Sequence, residues 1–162
     1  MKKILLFCSV SLTFTAAQAQ LKTTIACANF TIDILNGKVN DLYPNSTNGE
    51  IKGKLPCFTS TEDENPSSRC GGTVFYKDKD IYFYTGRDYV EIGEKFNGKL
   101  SLPLMGALRT GLFKWLGHPK IKDTNWDAFQ TQYGTLVLYY KAGKVNKIQF
   151  STRASEALTL CE

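Results

Sequence analysis

The chain has 162 residues, 43% of them hydrophobic and 22% charged, with 20 Lys+Arg against 15 Asp+Glu and one histidine. This is the composition of an ordinary globular protein of one domain or two very small ones. A single histidine and the lack of any spaced Cys/His cluster exclude most zinc, haem and iron–sulfur chemistry, which needs several such ligands converging, so neither a cofactor nor a metal site is expected.

The chain opens as an export signal. Met1-Lys2-Lys3 is a short basic start, Ile4 to Phe14 is a mostly apolar run, and Ala17-Gln18-Ala19 places small residues where a signal peptidase reads them. Cleavage is expected after Ala19. The signal has a bacterial character, which points to a periplasmic or secreted protein. Phe7 stands before Cys8 where a lipoprotein signal carries a small residue, so lipidation of Cys8 is not expected. The apolar run is short of the roughly 20 residues a transmembrane helix needs, and no later segment qualifies, so no membrane span is expected. Cleavage removes two lysines and no carboxylate, leaving 143 residues of net charge +3. Nucleic-acid binding asks for a basic patch, whereas these lysines are scattered among turns and strand faces, so solvated surface is the expectation.

Four cysteines remain after cleavage, Cys27, Cys57, Cys70 and Cys161, and an even count in an exported protein argues for two disulfides in one of three connectivities. Cys57 with Cys70 would close the polar, turn-rich segment Thr59 to Ser68, and Cys27 with Cys161 would then tie the two ends together. That pairing is the expectation.

The remaining sequence reads as two copies of one pattern, residues 20–95 and 96–162. Asn36-Gly37-Lys38-Val39 recurs as Asn97-Gly98-Lys99-Leu100, and Gly72-Thr73-Val74 is answered by Gly134-Thr135-Leu136. Chance alignment of two ordinary halves is the competing explanation. In the first copy a helical segment falls between Lys38 and Lys54, interrupted by Pro44, Gly49 and Gly53, and a β-hairpin joins Thr73–Lys77 to Ile81–Thr85 through Asp78-Lys79-Asp80. In the second copy Leu104, Leu108, Leu112 and Trp115 recur at three and four residues, predicting an amphipathic helix capped by Ser101, with Pro103 near its start and Gly117 past its end. A hairpin follows, with strands 134–140 and 145–150 around the turn Lys141-Ala142-Gly143-Lys144, where Gly143 suits a positive φ. The expected fold is therefore α+β, two tandem repeats each packing a helical segment on an antiparallel sheet.

The run Leu116-Gly117-His118-Pro119, a polar loop, Tyr133-Gly134-Thr135-Leu136-Val137-Leu138-Tyr139-Tyr140, then Ala142-Gly143-Lys144-Val145 resembles the repeat unit shared by β-lactamase-inhibitor proteins and the small lipoproteins that assist outer-membrane protein assembly. The resemblance covers residues 96–152 directly and the first half only through the internal repeat. It implies helical material followed by an antiparallel sheet, and two such units in tandem in a secreted inhibitor. Cys27 and Cys161 depart from the inhibitor pattern by lying at opposite ends of the chain.

No catalytic set is expected. His118 sits at the predicted helix end, where a cation complements the helix dipole. There is no Gly-x-Ser-x-Gly elbow, and the cysteines are committed to disulfides. Glu50, Asp63, Glu91 and Glu94 form no readable acid pair, and Glu62-Asp63-Glu64 and Asp78-Lys79-Asp80 lack the periodicity of a calcium loop. Strand alternation is more informative. With Ile81 and Phe83 facing the core, Tyr82 and Tyr84 stand on the opposite face, and Val137 and Tyr139 oppose Leu136, Leu138 and Tyr140. Two readings stay open for these tyrosines, an interaction surface and ordinary cross-strand packing.

The expected function is an exported, non-enzymatic protein-binding module, of the inhibitor or immunity-protein type, with a protein partner in the cell envelope or outside. Its expected site is Tyr82, Tyr84 and Tyr139, joined by Trp115 and Trp126 where these are exposed. The alternative is a small exported hydrolase or small-ligand-binding protein with a cleft between the two repeats.

Overall fold

The computed structural model describes residues 27–161, so the expected signal peptide and cleavage site lie outside the described residues. The strands are β1 (Thr31–Asp33), β2 (Lys38–Val39), β3 (Ser60–Glu62), β4 (Thr73–Tyr76), β5 (Ile81–Tyr84), β6 (Tyr89–Ile92), β7 (Lys99–Leu100), β8 (Ile121–Lys122), β9 (Trp126–Gln130), β10 (Thr135–Lys141) and β11 (Lys144–Ser151). The two helices are α1 (Asn48–Lys54) and the single turn α2 (Phe113–Leu116). Of the described residues strand takes up 34% and helix 13%, the latter including single 3-10 turns at Thr85–Arg87 and Arg109–Gly111, which overturns the expected α+β repeats with packed helical segments. The protein is mostly β.

Eight strands form one antiparallel sheet in the order β3-β4-β5-β6-β11-β10-β9-β8. Two four-stranded meanders meet edge to edge where β6 pairs with β11, through Ile92↔Ile148 and Val90↔Phe150. A second, three-stranded sheet runs β2-β1-β7, with β1 antiparallel to β2 and parallel to β7. The two Asn-Gly-Lys motifs supply β2 and β7, so both come to flank Ile32 of β1. One face of the large sheet carries Val74, Tyr76, Ile81, Phe83, Val90, Ile92, Leu136, Leu138, Ile148 and Phe150, which meet Ile32 and Val39 of the small sheet, Ile34 just past β1 and Ile51 of α1 in a single core.

Both expected hairpins are present. β10 and β11 turn through Ala142 and Gly143, with φ of 50° and 75°, the doubly positive geometry that matches strand twist. β4 and β5 turn through Asp78–Asp80, where Asp80 takes φ 58°. In the first half, helix forms only at 48–54, entered through a capping box in which the Thr47 hydroxyl accepts from the Glu50 N–H and Glu50 Oε2 accepts from the Thr47 N–H.

The helix expected from Ser101 to Gly117 shrinks to α2. Gly106 takes φ 76°, and the backbone around it is spent on the start of β11, which runs past the end of its pairing with β6 at Ile148. Gly106 N–H donates to Val145 O at 2.8 Å, Val145 N–H to Ala107 O at 3.0 Å and Arg109 N–H to Gly143 O at 3.0 Å. Two interior glycines, each disfavouring helix by about 1 kcal/mol, leave this pairing the better use of the amides. The leucine stripe breaks with it, since Leu104 and Leu112 are buried while Leu108 is exposed.

The disulfides are Cys27–Cys57 and Cys70–Cys161, with Cα–Cα distances of 5.7 and 5.4 Å, which corrects the expected pairs Cys57–Cys70 and Cys27–Cys161. The segment between Cys57 and Cys70 orders itself by hydrogen bonding, because β3 pairs with β4 in the register Ser60↔Phe75 and Glu62↔Thr73. Extending that register sets Cys70 opposite Asn65, eight residues along from Cys57, or roughly 27 Å at strand rise. The two sulfurs therefore sit at opposite ends of a hairpin. Two disulfides fit an oxidising, extracellular compartment, and among the described residues no helix is long and apolar enough to cross a membrane.

Candidate functional site

The outer face of the large sheet, opposite the core, carries the tyrosines, and cross-strand register fixes which side chains are neighbours. Tyr82 on β5 faces Glu91 on β6, Glu91 faces Gln149 on β11, Lys147 on β11 faces Tyr139 on β10, and Tyr139 faces Trp126 on β9. Side-chain contacts join these registers into one band. Lys147 Nζ lies 3.4 Å from Glu91 Oε2 and 4.1 Å from the Tyr139 ring centroid. Tyr82, Glu91, Lys147, Tyr139 and Trp126, one from each of five adjacent strands, are all partly exposed.

The band is held from within its own face. Tyr82 Oη donates to Asp80 Oδ1 at 3.0 Å while its ring meets Phe75 edge-on at 5.3 Å, and Gln149 Nε2 donates to Glu91 Oε2 at 2.7 Å. Burial raises the pKa of the Tyr82 phenol, helped by the Asp80 hydrogen bond and charge. Tyr84 is set deeper. It stacks on Tyr89 at 4.4 Å and meets Phe75 edge-on, and burial pushes its phenol up to about 12. Cross-strand packing describes Tyr84 as well as any outward role.

Next to the band the outer face is covered. Tyr89, Gln149, Val137, Ala128, Thr135 and Ser151 point away from the core yet are buried, and the C-terminal segment from Thr152 to Cys161 is anchored around them. Thr135 Oγ1 donates to Arg153 O at 2.8 Å, Arg153 Nε donates to Asp88 Oδ2 at 2.7 Å, Lys120 pairs with Glu156, and Cys161 N–H donates to Tyr89 Oη at 3.0 Å beside the Cys70–Cys161 bond. Between Glu156 and Cys161 the exposure alternates, with Leu158 and Leu160 half-buried and Ala157 and Thr159 exposed, as in an extended strap.

The sequence-predicted set therefore divides. Tyr82, Tyr139 and Trp126 share the band with Tyr84 beside it, whereas Trp115 sits in α2 with its ring against the core and Lys114 Nζ 4.2 Å from its centroid. Glu91 and Lys147, which bridge the aromatic ends, are not among the residues that sequence reasoning points to for binding. Their signal was available only once β6 and β11, more than fifty residues apart, were known to be neighbours.

The carboxylates considered for catalysis have other employment or stand apart. Glu50 closes the capping box, and the hydrogen bonds from Thr47 hold its carboxyl below the usual range. Glu91 is the anion of the band. His118 is exposed past the end of α2, its ring 4.5 Å from that of Phe113. A cavity of about 750 Å³ between Phe30, Lys79, Phe96 and Lys99 has these two lysines as its ionisable side chains. Among the described residues no group of three His, Cys, Asp or Glu is placed to hold a metal ion.

Comparison of the chain with protein-family models, with curated proteins and with solved structures gives no match.

Proposed function

We propose that this is an exported, non-enzymatic protein-binding module of the inhibitor or immunity-protein type, contacting its partner through the band from Tyr82 to Trp126. The observation that carries the reading is the continuity of that band, with aromatic rings at both ends and an ion pair between them on a rigid antiparallel sheet. Tyr and Trp are the side chains from which binding hot spots are most often built, because they bring large contact area with few rotatable bonds. The resemblance of residues 96–152 to the repeat of secreted inhibitors points to the same class. Export to the periplasm or beyond, after cleavage at Ala19, belongs to this proposal, and the two disulfides support it.

The test is affinity capture from a bacterial envelope extract and from culture supernatant with the disulfide-bonded protein as bait, run in parallel with a Glu91→Lys/Tyr139→Ala variant. A stoichiometric protein partner retained by the parent and lost by the variant supports the reading. A co-purifying small molecule, or turnover of ester or glycoside substrates, would favour the alternative of a small hydrolase or ligand-binding protein.

A further inference from the structure

A second surface, built on the segment that packs Leu104 and Leu112 into the core, combines exposed apolar side chains with unpaired positive charge. Leu108 and Phe113 are 58% and 59% exposed, on the segment that leaves the start of β11 and enters α2. No Asp or Glu occurs between Glu94 and Asp123, a stretch that holds Lys95, Lys99, Arg109, Lys114, Lys120 and Lys122. The fold adds more charge at the same place. Leu108 bridges to Lys144 at the tip of the β10–β11 hairpin, which also carries exposed Lys141. Lys114 and Trp115 line the cleft beside Leu108, and Lys122 and His118 line the one beside Phe113. Of the carboxylates that approach, Asp127 is occupied by Arg109, leaving exposed Asp123. Among the described residues Lys114, Lys122, Lys141 and Lys144 have no carboxylate at ion-pair distance.

We infer that this surface docks on an anionic phospholipid bilayer, with Leu108 and Phe113 inserted at the headgroup boundary and the four lysines set among the phosphates. Charge complementarity selects an anionic occupant. The composition of the patch selects a bilayer over an acidic protein. Its two apolar side chains stand among lysines, the residue type depleted at protein–protein interfaces but concentrated beside the apolar face of interfacial membrane-binding segments. The free cations are all lysines, whose long stems keep the charge in water while the apolar part sinks. This docking is peripheral and independent of the protein-binding band.

The experiment is co-sedimentation of the disulfide-bonded exported protein with vesicles of phosphatidylcholine alone and of phosphatidylcholine with one-third phosphatidylglycerol. Partitioning to the anionic vesicles at least tenfold above neutral ones, falling steeply at 0.5 M salt, is expected. Leu108→Ser/Phe113→Ser should abolish it, Lys114→Gln should weaken it by about fivefold, the worth of one lysine near an anionic surface, and Leu35→Ser, which removes an equally exposed leucine elsewhere, should leave it unchanged. Melting temperatures of all variants are measured alongside, and Lys114→Gln, on an exposed side chain, serves if the double serine variant proves unfolded. Equal partitioning to both vesicle types, no partitioning, loss on Leu35→Ser, or preference for soluble polyglutamate over vesicles would each overturn the inference.

Discussion

Arg109 grips Asp127 through two hydrogen bonds, Nε to Oδ2 at 3.0 Å and Nη2 to Oδ1 at 2.5 Å. Tyr140 Oη donates to the same carboxylate at 2.7 Å, and Arg109 also donates to the carbonyls of Asp123 and Thr124. Asp127 is 3% exposed, so its charge is tolerable only with this partner. The pair fastens the segment that replaced the expected helix to β9. Replacing Arg109 by Met leaves a buried carboxylate without its cation and should cost about 3 kcal/mol, the usual order for breaking a buried pair. Urea unfolding of Arg109→Met gives the figure, and a loss below about 1 kcal/mol would show the pair to be peripheral.

The disulfide connectivity predicts an order of stabilities. Cys70–Cys161 closes 91 residues and Cys27–Cys57 closes 30. On chain entropy these stabilise by about 4.6 and about 3.6 kcal/mol. Paired serine substitutions should therefore cost more at 70/161, as read by urea midpoints. Mapping of unreduced peptides should join Cys27 to Cys57, and a Cys57–Cys70 peptide would refute the described topology.

Alkaline pH should unfold the protein. Burial raises the phenols of Tyr76, Tyr84, Tyr89, Tyr133 and Tyr140, Tyr84 to about 12, and raises Tyr82 as well. Unfolded, these groups release protons near pH 10 while the folded chain keeps them. The unfolded state then binds fewer protons, so stability falls as pH rises from 10 toward 12 and is unaffected by these groups below that window. Phenolate absorbance followed together with circular dichroism should show the six phenols ionising as the sheet melts, not before it.

What the sequence disclosed was governed by range. The hairpins at 73–84 and 135–151 were legible because alternation and turn chemistry act over neighbouring residues, and the same alternation put Tyr82 and Tyr139 on the face away from the core. The helix expected at 101–117 does not form although its leucine spacing satisfies a helical period, because the decisive competitor, the backbone of Gly143 and Val145 where β11 begins beyond its pairing with β6, lies more than thirty residues away. The cysteine pairing failed for a related reason, since only the β3–β4 register shows that Cys57 and Cys70 end up far apart. Likewise the Glu91–Lys147 link at the middle of the band depends on the β6–β11 junction, which no local pattern encodes.

Binding of a protein partner by the outer band is tested most directly by calorimetric titration of the captured partner with Tyr82→Ala and Tyr139→Ala alongside thermal melting of the same variants. Loss of about 1 kcal/mol or more of binding energy from each, as hot-spot residues give, with the melting temperature nearly unchanged, is the predicted result. Unaltered affinity with a lowered melting temperature in both variants would make these tyrosines packing residues and rule the band out as the binding surface.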